Sequence, residues 1–138
     1  MKNVLIAATL GFGVVLSGCA MNNDLLSGQF SAIKPKSTDL SGSWSGSGGP
    51  WLVTIKFNSD GTGLMCQSYN GKDILDKIKV VGDVIYNQNN LKLKVISKTN
   101  DKLTLKANYY MGATFNFTPD PLLKNASPYC ESALKRLD

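Results

Sequence analysis

No histidine occurs in the 138 residues, and glutamate and arginine occur once each, as Glu131 and Arg136. The side chain most used for proton transfer near neutral pH, which is also the commonest metal ligand, is therefore missing. Serine or cysteine nucleophiles activated by an imidazole are excluded with it. Carboxylate chemistry has little material: Asp73 with Asp76, or Asp60 with Glu131, would be the pairs, and no motif sets either at a cleft. Asn58-Ser59-Asp60-Gly61 holds too few carboxylates for a calcium loop. Gly46-Ser47-Gly48-Gly49 lacks the Lys-Ser/Thr and the following helix of a phosphate loop, and reads as a flexible hairpin. The expectation is a protein that is not an enzyme and takes no metal and no cofactor.

Long apolar runs are scarce as well. The longest, Val4 to Val15, is softened by Gly11 and Gly13 and falls short of the roughly 20 residues that cross a bilayer as a helix. It follows the positive start Met1-Lys2-Asn3 and ends in small residues, the layout of an export signal. Net charge is a mild +5, from 15 Lys+Arg against 10 Asp+Glu. Dispersed lysines on an exported chain exclude nucleic acid as a partner.

The close of the signal, Leu16-Ser17-Gly18-Cys19, resembles the lipobox of bacterial lipoproteins. That resemblance implies a diacylglycerol on the Cys19 thiol, cleavage of residues 1–18 and acylation of the new amino group. A mature chain of 120 of the 138 residues would remain, with 14 basic and 10 acidic residues. At about 0.8 kcal/mol per buried methylene, two or three acyl chains on one residue hold a protein on a bilayer without spanning it. Ala20-Met21 carries no aspartate of the kind that retains lipoproteins at the inner membrane, so the implied home is the outer membrane. Residues 19–39 then read as the lipidated end and a flexible tether, with a root-mean-square reach of about 25 Å. Leu25, Leu26, Phe30 and Ile33 are the residues in it able to dock on the domain that follows.

With Cys19 lipidated, Cys66 and Cys130 are left as an even pair in an oxidising compartment, where disulfides persist. A Cys66–Cys130 bridge closes a loop of 64 residues. In the chain-entropy account that closure is worth about 4 kcal/mol.

From residue 40 to 138 the dominant signal is period two cut by turns. Trp51, Val53, Ile55 and Phe57 alternate with Leu52, Thr54 and Lys56; Leu91, Leu93 and Val95 alternate with Lys92, Lys94 and Ile96. Leu103, Leu105, Ala107 and Tyr109 form a third such set, Ala113, Phe115 and Phe117 a fourth, and Ile74, Ile78 and Val80 flank Lys77 and Lys79. Turn residues recur near Asp60-Gly61, Asn70-Gly71, Gly82-Asp83, Asn87 to Asn90, Lys98 to Asp101 and Met111-Gly112. The spacing predicts an all-β domain: an antiparallel meander of about eight short strands, closed into a small barrel that leaves no edge exposed. Lys56, Lys77, Lys79, Lys92, Lys94 and Lys106 fall on its solvent face. After Pro119 and Pro121, Ser127-Pro128 is an N-cap and first turn, followed by a short C-terminal helix with Cys130, Leu134 and Leu137 on one face. The disulfide would pin that face to the barrel, one mouth being a place for it.

Leu40-Ser41-Gly42-Ser43-Trp44, followed by Phe57-Asn58-Ser59-Asp60-Gly61-Thr62-Gly63, resembles the opening strands of lipocalin-like barrels. In those, the tryptophan packs across a closed end and the open end takes a small apolar ligand. Trp44 is the position that carries over. Trp51, Phe57, Tyr109, Phe115 and Phe117 then either line a pocket for a hydrophobic molecule or fill the interior. The early and late cysteines are also similar in layout to those of lipoproteins that inhibit lysozyme. Two functions follow: a carrier or sensor of a small hydrophobic ligand, or a filled barrel that binds an envelope protein or polymer through its surface.

Overall fold

The computed structural model describes residues 24–136. The signal segment, Cys19 and Leu137 lie outside the described residues. Eight strands run β1 (Gly42–Gly48), β2 (Trp51–Phe57), β3 (Thr62–Tyr69), β4 (Lys72–Val81), β5 (Val84–Asn87), β6 (Lys92–Lys98), β7 (Leu103–Ala107) and β8 (Thr114–Pro119). Each pairs antiparallel with its neighbours in sequence, and β1 pairs with β8, so the sheet is a closed barrel. The meander and its closure are those expected from the alternation and the turn spacing.

The pleat sorts the side chains. Trp44, Val53, Ile55, Phe57, Met65, Ile78, Val80, Ile85, Leu93, Leu103, Leu105 and Phe117 are buried together as the interior core. The glycine-rich tract read as a flexible hairpin is instead strand β1, with only Gly49-Pro50 in the turn. Its glycines have a packing reason. A Cβ on Gly46 would lie 2.3 Å from the Asn116 carbonyl oxygen and 2.9 Å from the Phe117 ring, so a bare backbone at this position is what lets β1 close on β8. The seam is only three pairs long, Trp44↔Pro119, Ser45↔Thr118 and Gly46↔Phe117. Buried Asp120 reinforces it from outside: its N–H donates to the Ser43 carbonyl (2.8 Å), and its carboxylate accepts from the Ser45 hydroxyl (2.8 Å) and from the N–H groups of Lys124 and Asn125 (2.8 and 2.9 Å).

A second core lies on the outer wall. Helix α2 (Pro128–Lys135) starts at Ser127, whose hydroxyl accepts from the Cys130 N–H at 3.1 Å. It buries Cys130, Ala133 and Leu134. Cys130 and Leu134 cluster with Cys66 and Leu123, and Leu64 and Leu75 pack against them. Cys66 pairs with Leu75 across β3 and β4 on the face opposite the interior Met65, so the bridge to Cys130 pins α2 to the side of the barrel and not to a mouth. The strand alternation decides this: Cys66 is one residue out of phase with the inward set.

The stretch expected as a flexible tether over residues 19–39 is ordered in its described part. Helix α1 (Asp24–Ala32) ends on Lys79, whose ammonium donates to the carbonyls of Phe30 (2.9 Å), Ser31 (3.3 Å) and Ile33 (2.8 Å) and sits 4.7 Å from the centre of the Phe30 ring. A cation at the carbonyl end of a helix satisfies orphan acceptors and complements the dipole. Beyond it the Lys36 N–H donates to the Val80 carbonyl (2.9 Å), the Thr38 N–H to the Ser59 carbonyl (3.1 Å), and Leu40 is buried. Lys79, read as lying on the solvent face, is the clamp of the amino-terminal segment on the outer wall.

Replacing both Cys66 and Cys130 by alanine is expected to lower the unfolding free energy by about 4 kcal/mol, the entropy of closing a loop of this length. Urea unfolding of the two proteins measures it, and an unchanged midpoint would refute a stabilising bridge.

Candidate functional site

The two ends of the barrel differ. The turns between β2 and β3, β4 and β5, and β6 and β7 share one end with the entry of the chain; the other four strand connections form the opposite rim. At the first end Leu40 and Trp44 are both buried, and the Trp44 indole N–H donates to the Leu40 carbonyl at 3.1 Å. Phe57 is buried in the same core. This is the closed end. Its three turns carry Asp60, Asp83 and Asp101. The Thr62 hydroxyl, then its N–H, hold the Asp60 carboxyl below the usual aspartate range, and the Thr99 hydroxyl does the same for Asp101.

The opposite end is open. A cavity of about 110 Å³ lies there, lined by Gly48, Trp51, Gln67, Leu91, Tyr109 and Phe115, with Phe117, Met65 and Leu93 at its base. The six aromatic positions singled out from the sequence therefore divide. Trp44 and Phe57 are core at the closed end, Phe117 is a buried floor, Trp51 and Phe115 are half-buried walls, and Tyr109 is half-exposed beyond the end of β7. Around the rim Trp51 stacks at a tilt on Tyr69, ring centres 5.6 Å apart. Tyr69, Ile74, Tyr109 and Met111 are large apolar side chains left in solvent there, and Met111 is wholly exposed with a φ of 59°. A left-handed conformation at a side-chain-bearing residue is costly and recurs where a loop must present a group.

One polar group in the interior has no counterpart in the sequence reading of the core. Asp76 pairs with Met65 across β3 and β4 and is buried inside the wall. Its carboxylate accepts from the side-chain amides of Asn87 (3.0 Å), Gln88 (3.3 Å) and Asn89 (2.6 Å). It thus holds the β5–β6 connection, which forms one side of the mouth. The signal was present: Asp76 lies in phase with Ile74, Ile78 and Val80. Asp73, its imagined catalytic partner, points to the other face and accepts from the Ser68 hydroxyl, while Asp60 is exposed at the closed end. Among the described residues no cluster of Asp, Glu or Cys could hold a metal ion.

A family model described as the bacterial lipocalin LPS transport optimiser YedD matches residues 28–134. The match runs from within α1 to within α2 and takes in all eight strands, and the chain belongs to that family. No curated protein and no solved structure matches it significantly.

Substituting Asp76 by alanine leaves the buried Asn87 amide with only the Met65 sulfur, at 3.8 Å, as acceptor, whereas the amides of Gln88 and Asn89 can turn to water. A loss of about 2 to 3 kcal/mol is expected. Hydrogen exchange should speed first in residues 87–91; unaltered protection of that loop would show that Asp76 does not hold it.

Proposed function

We propose that this chain is an outer-membrane lipoprotein, held by acyl chains on Cys19, whose non-catalytic barrel aids lipopolysaccharide transport through its surface and rim. The family's description supplies the process. The lipobox Leu16-Ser17-Gly18-Cys19 supports the anchor, and the lipocalin-like fold supports a binding role.

The observation that carries the choice between carriage and contact is the filled interior. Trp44, Phe57, Met65, Ile78 and Phe117 meet inside the barrel, and the space left at the mouth is about 110 Å³. Pockets for small molecules begin near 300 Å³, and an eight-stranded barrel is narrow enough for side chains to fill. Inside the barrel, a small hydrophobic ligand has support only as a short apolar group at the mouth, against Trp51 and Phe115. Surface contact with an envelope component needs no cavity.

Native mass spectrometry of the chain from Ala20 onward, exported through an ordinary secretory signal, tests the filled barrel. Equal native and denatured masses are expected; release of a molecule of several hundred daltons would overturn this reading in favour of a carrier. For the anchor, the same unlipidated chain should leave the membrane fraction in a high-salt wash while the lipidated chain stays, and retention of both would remove Cys19 from the account.

A further inference from the structure

The open rim combines two features, exposed apolar side chains and lysines. Its apolar side chains are amphipathic or flexible: Trp51 and Tyr69 in contact, Tyr109 half-exposed, Ile74 at the lip, and Met111 held out in water. Tryptophan and tyrosine are the residues that settle at the level of lipid headgroups. The charges around them are of one kind in the connections themselves. Lys72 and Lys92 begin β4 and β6, Lys106 lies one residue from the end of β7, and the segments 48–51, 69–72, 87–92 and 107–114 contain no carboxylate. Asp73, one residue into β4, is bound to Ser68. At the other end each of the three turns carries an aspartate. The connections of the open end are thus aromatic and carry lysine without carboxylate, whereas the closed end mixes Asp60, Asp83 and Asp101 with Lys98 and Lys102.

The geometry points to a bilayer surface containing anionic phospholipid as the partner of this rim, with the barrel seated on its open mouth. The inference rests on the anchor read at Cys19, which fixes how far away a bilayer can be. Residues 20–23 can reach at most about 14 Å, and the helix from Asp24 to Phe30 adds about 10 Å before the chain is clamped at Lys79. That distance is comparable to the barrel itself, so the domain is held beside the membrane and not at the end of a long leash. Anionic headgroups complement the lysines, each worth about 1 kcal/mol near such a surface. The rings and Met111 reach the acyl boundary as they do in interfacial proteins. A protein partner would meet the same apolar groups, but the closed barrel offers it no exposed strand edge and the rim connections no carboxylate.

Trp51 reports the contact directly. The full lipidated chain is placed in vesicles of phosphatidylethanolamine and phosphatidylglycerol with bromine-labelled acyl chains, and the Trp51 signal is taken as the difference from Trp51→Phe, which retains Trp44. Docking predicts a blue shift and quenching of that signal. Both should be lost in the double variant Tyr109→Asp, Met111→Asp, whose positions are exposed enough to leave the fold intact, while that protein still floats with the vesicles. An unquenched Trp51 in a chain that floats overturns the proposal and turns the rim toward a protein.

The chain from Ala20 onward, which keeps every described residue, separates the rim from the anchor. On the same vesicles its partitioning should fall about fivefold for each Lys→Gln change at Lys72, Lys92 and Lys106. Partitioning indifferent to all three overturns the proposal. Failure of the lipidated chain to float counts against the anchor alone, because the unlipidated chain still reads the rim.

Discussion

Closure of β1 on β8 is the constraint on which the rest of this structure depends. Only three residue pairs make the seam, and the sheet has two free edges without it. The seam forms because Gly46 leaves room for the Asn116 carbonyl and the Phe117 ring, at distances no side chain could share. Phe117 in turn is the floor of the open-end cavity and part of the interior core. Asp120, with Ser45 bridging to the Thr54 hydroxyl at 2.9 Å, ties the chain beyond β8 back across β1 and β2. A cluster of this kind is stable when every acceptor is met, and among the described residues no buried side-chain N or O lacks a partner.

From a closed wall two separate cores follow. The inward residues of short strands fill a narrow interior, and the outward residues of β3 and β4 are free to build something else. Cys66, Leu64 and Leu75 do so by receiving α2, through the bridge to Cys130 and the burial of Leu134. Lys56 joins them by donating to the Leu134 carbonyl at 3.2 Å. On a neighbouring part of the wall Lys79 receives α1. Both terminal segments are thus held on the sides of the barrel, α1 reaching the β5–β6 connection at the open end.

Much of this was legible before any coordinates. Alternation of Trp51, Val53, Ile55 and Phe57, with Asp-Gly and Asn-Gly turns at short intervals, implies an antiparallel meander, since period two and tight hairpins admit little else. Ser127-Pro128 marked the start of α2 for the same local reason. The lone pair Cys66 and Cys130, once Cys19 is set aside, has one way to bond. Position along the wall was harder to read. The Gly-Ser tract looked like a loop because its defining contact, with Phe117, lies 71 positions away in the chain. Residues 24–39 looked like a tether because their order comes from Lys79 and Val80, not from any apolar period of their own.

By itself the sequence determined the strand count, the turns and the disulfide partners, because each depends on residues close in the chain or on simple exclusion. Tertiary structure alone decided which aromatics fill the barrel and which stand at its mouth, that Asp76 is an interior acceptor, that α2 lies on the flank, and that the turns carrying Asp60, Asp83 and Asp101 lie at one end. Those outcomes depend on how the strands pair along the chain and on what meets across the barrel, which residues distant in sequence decide together.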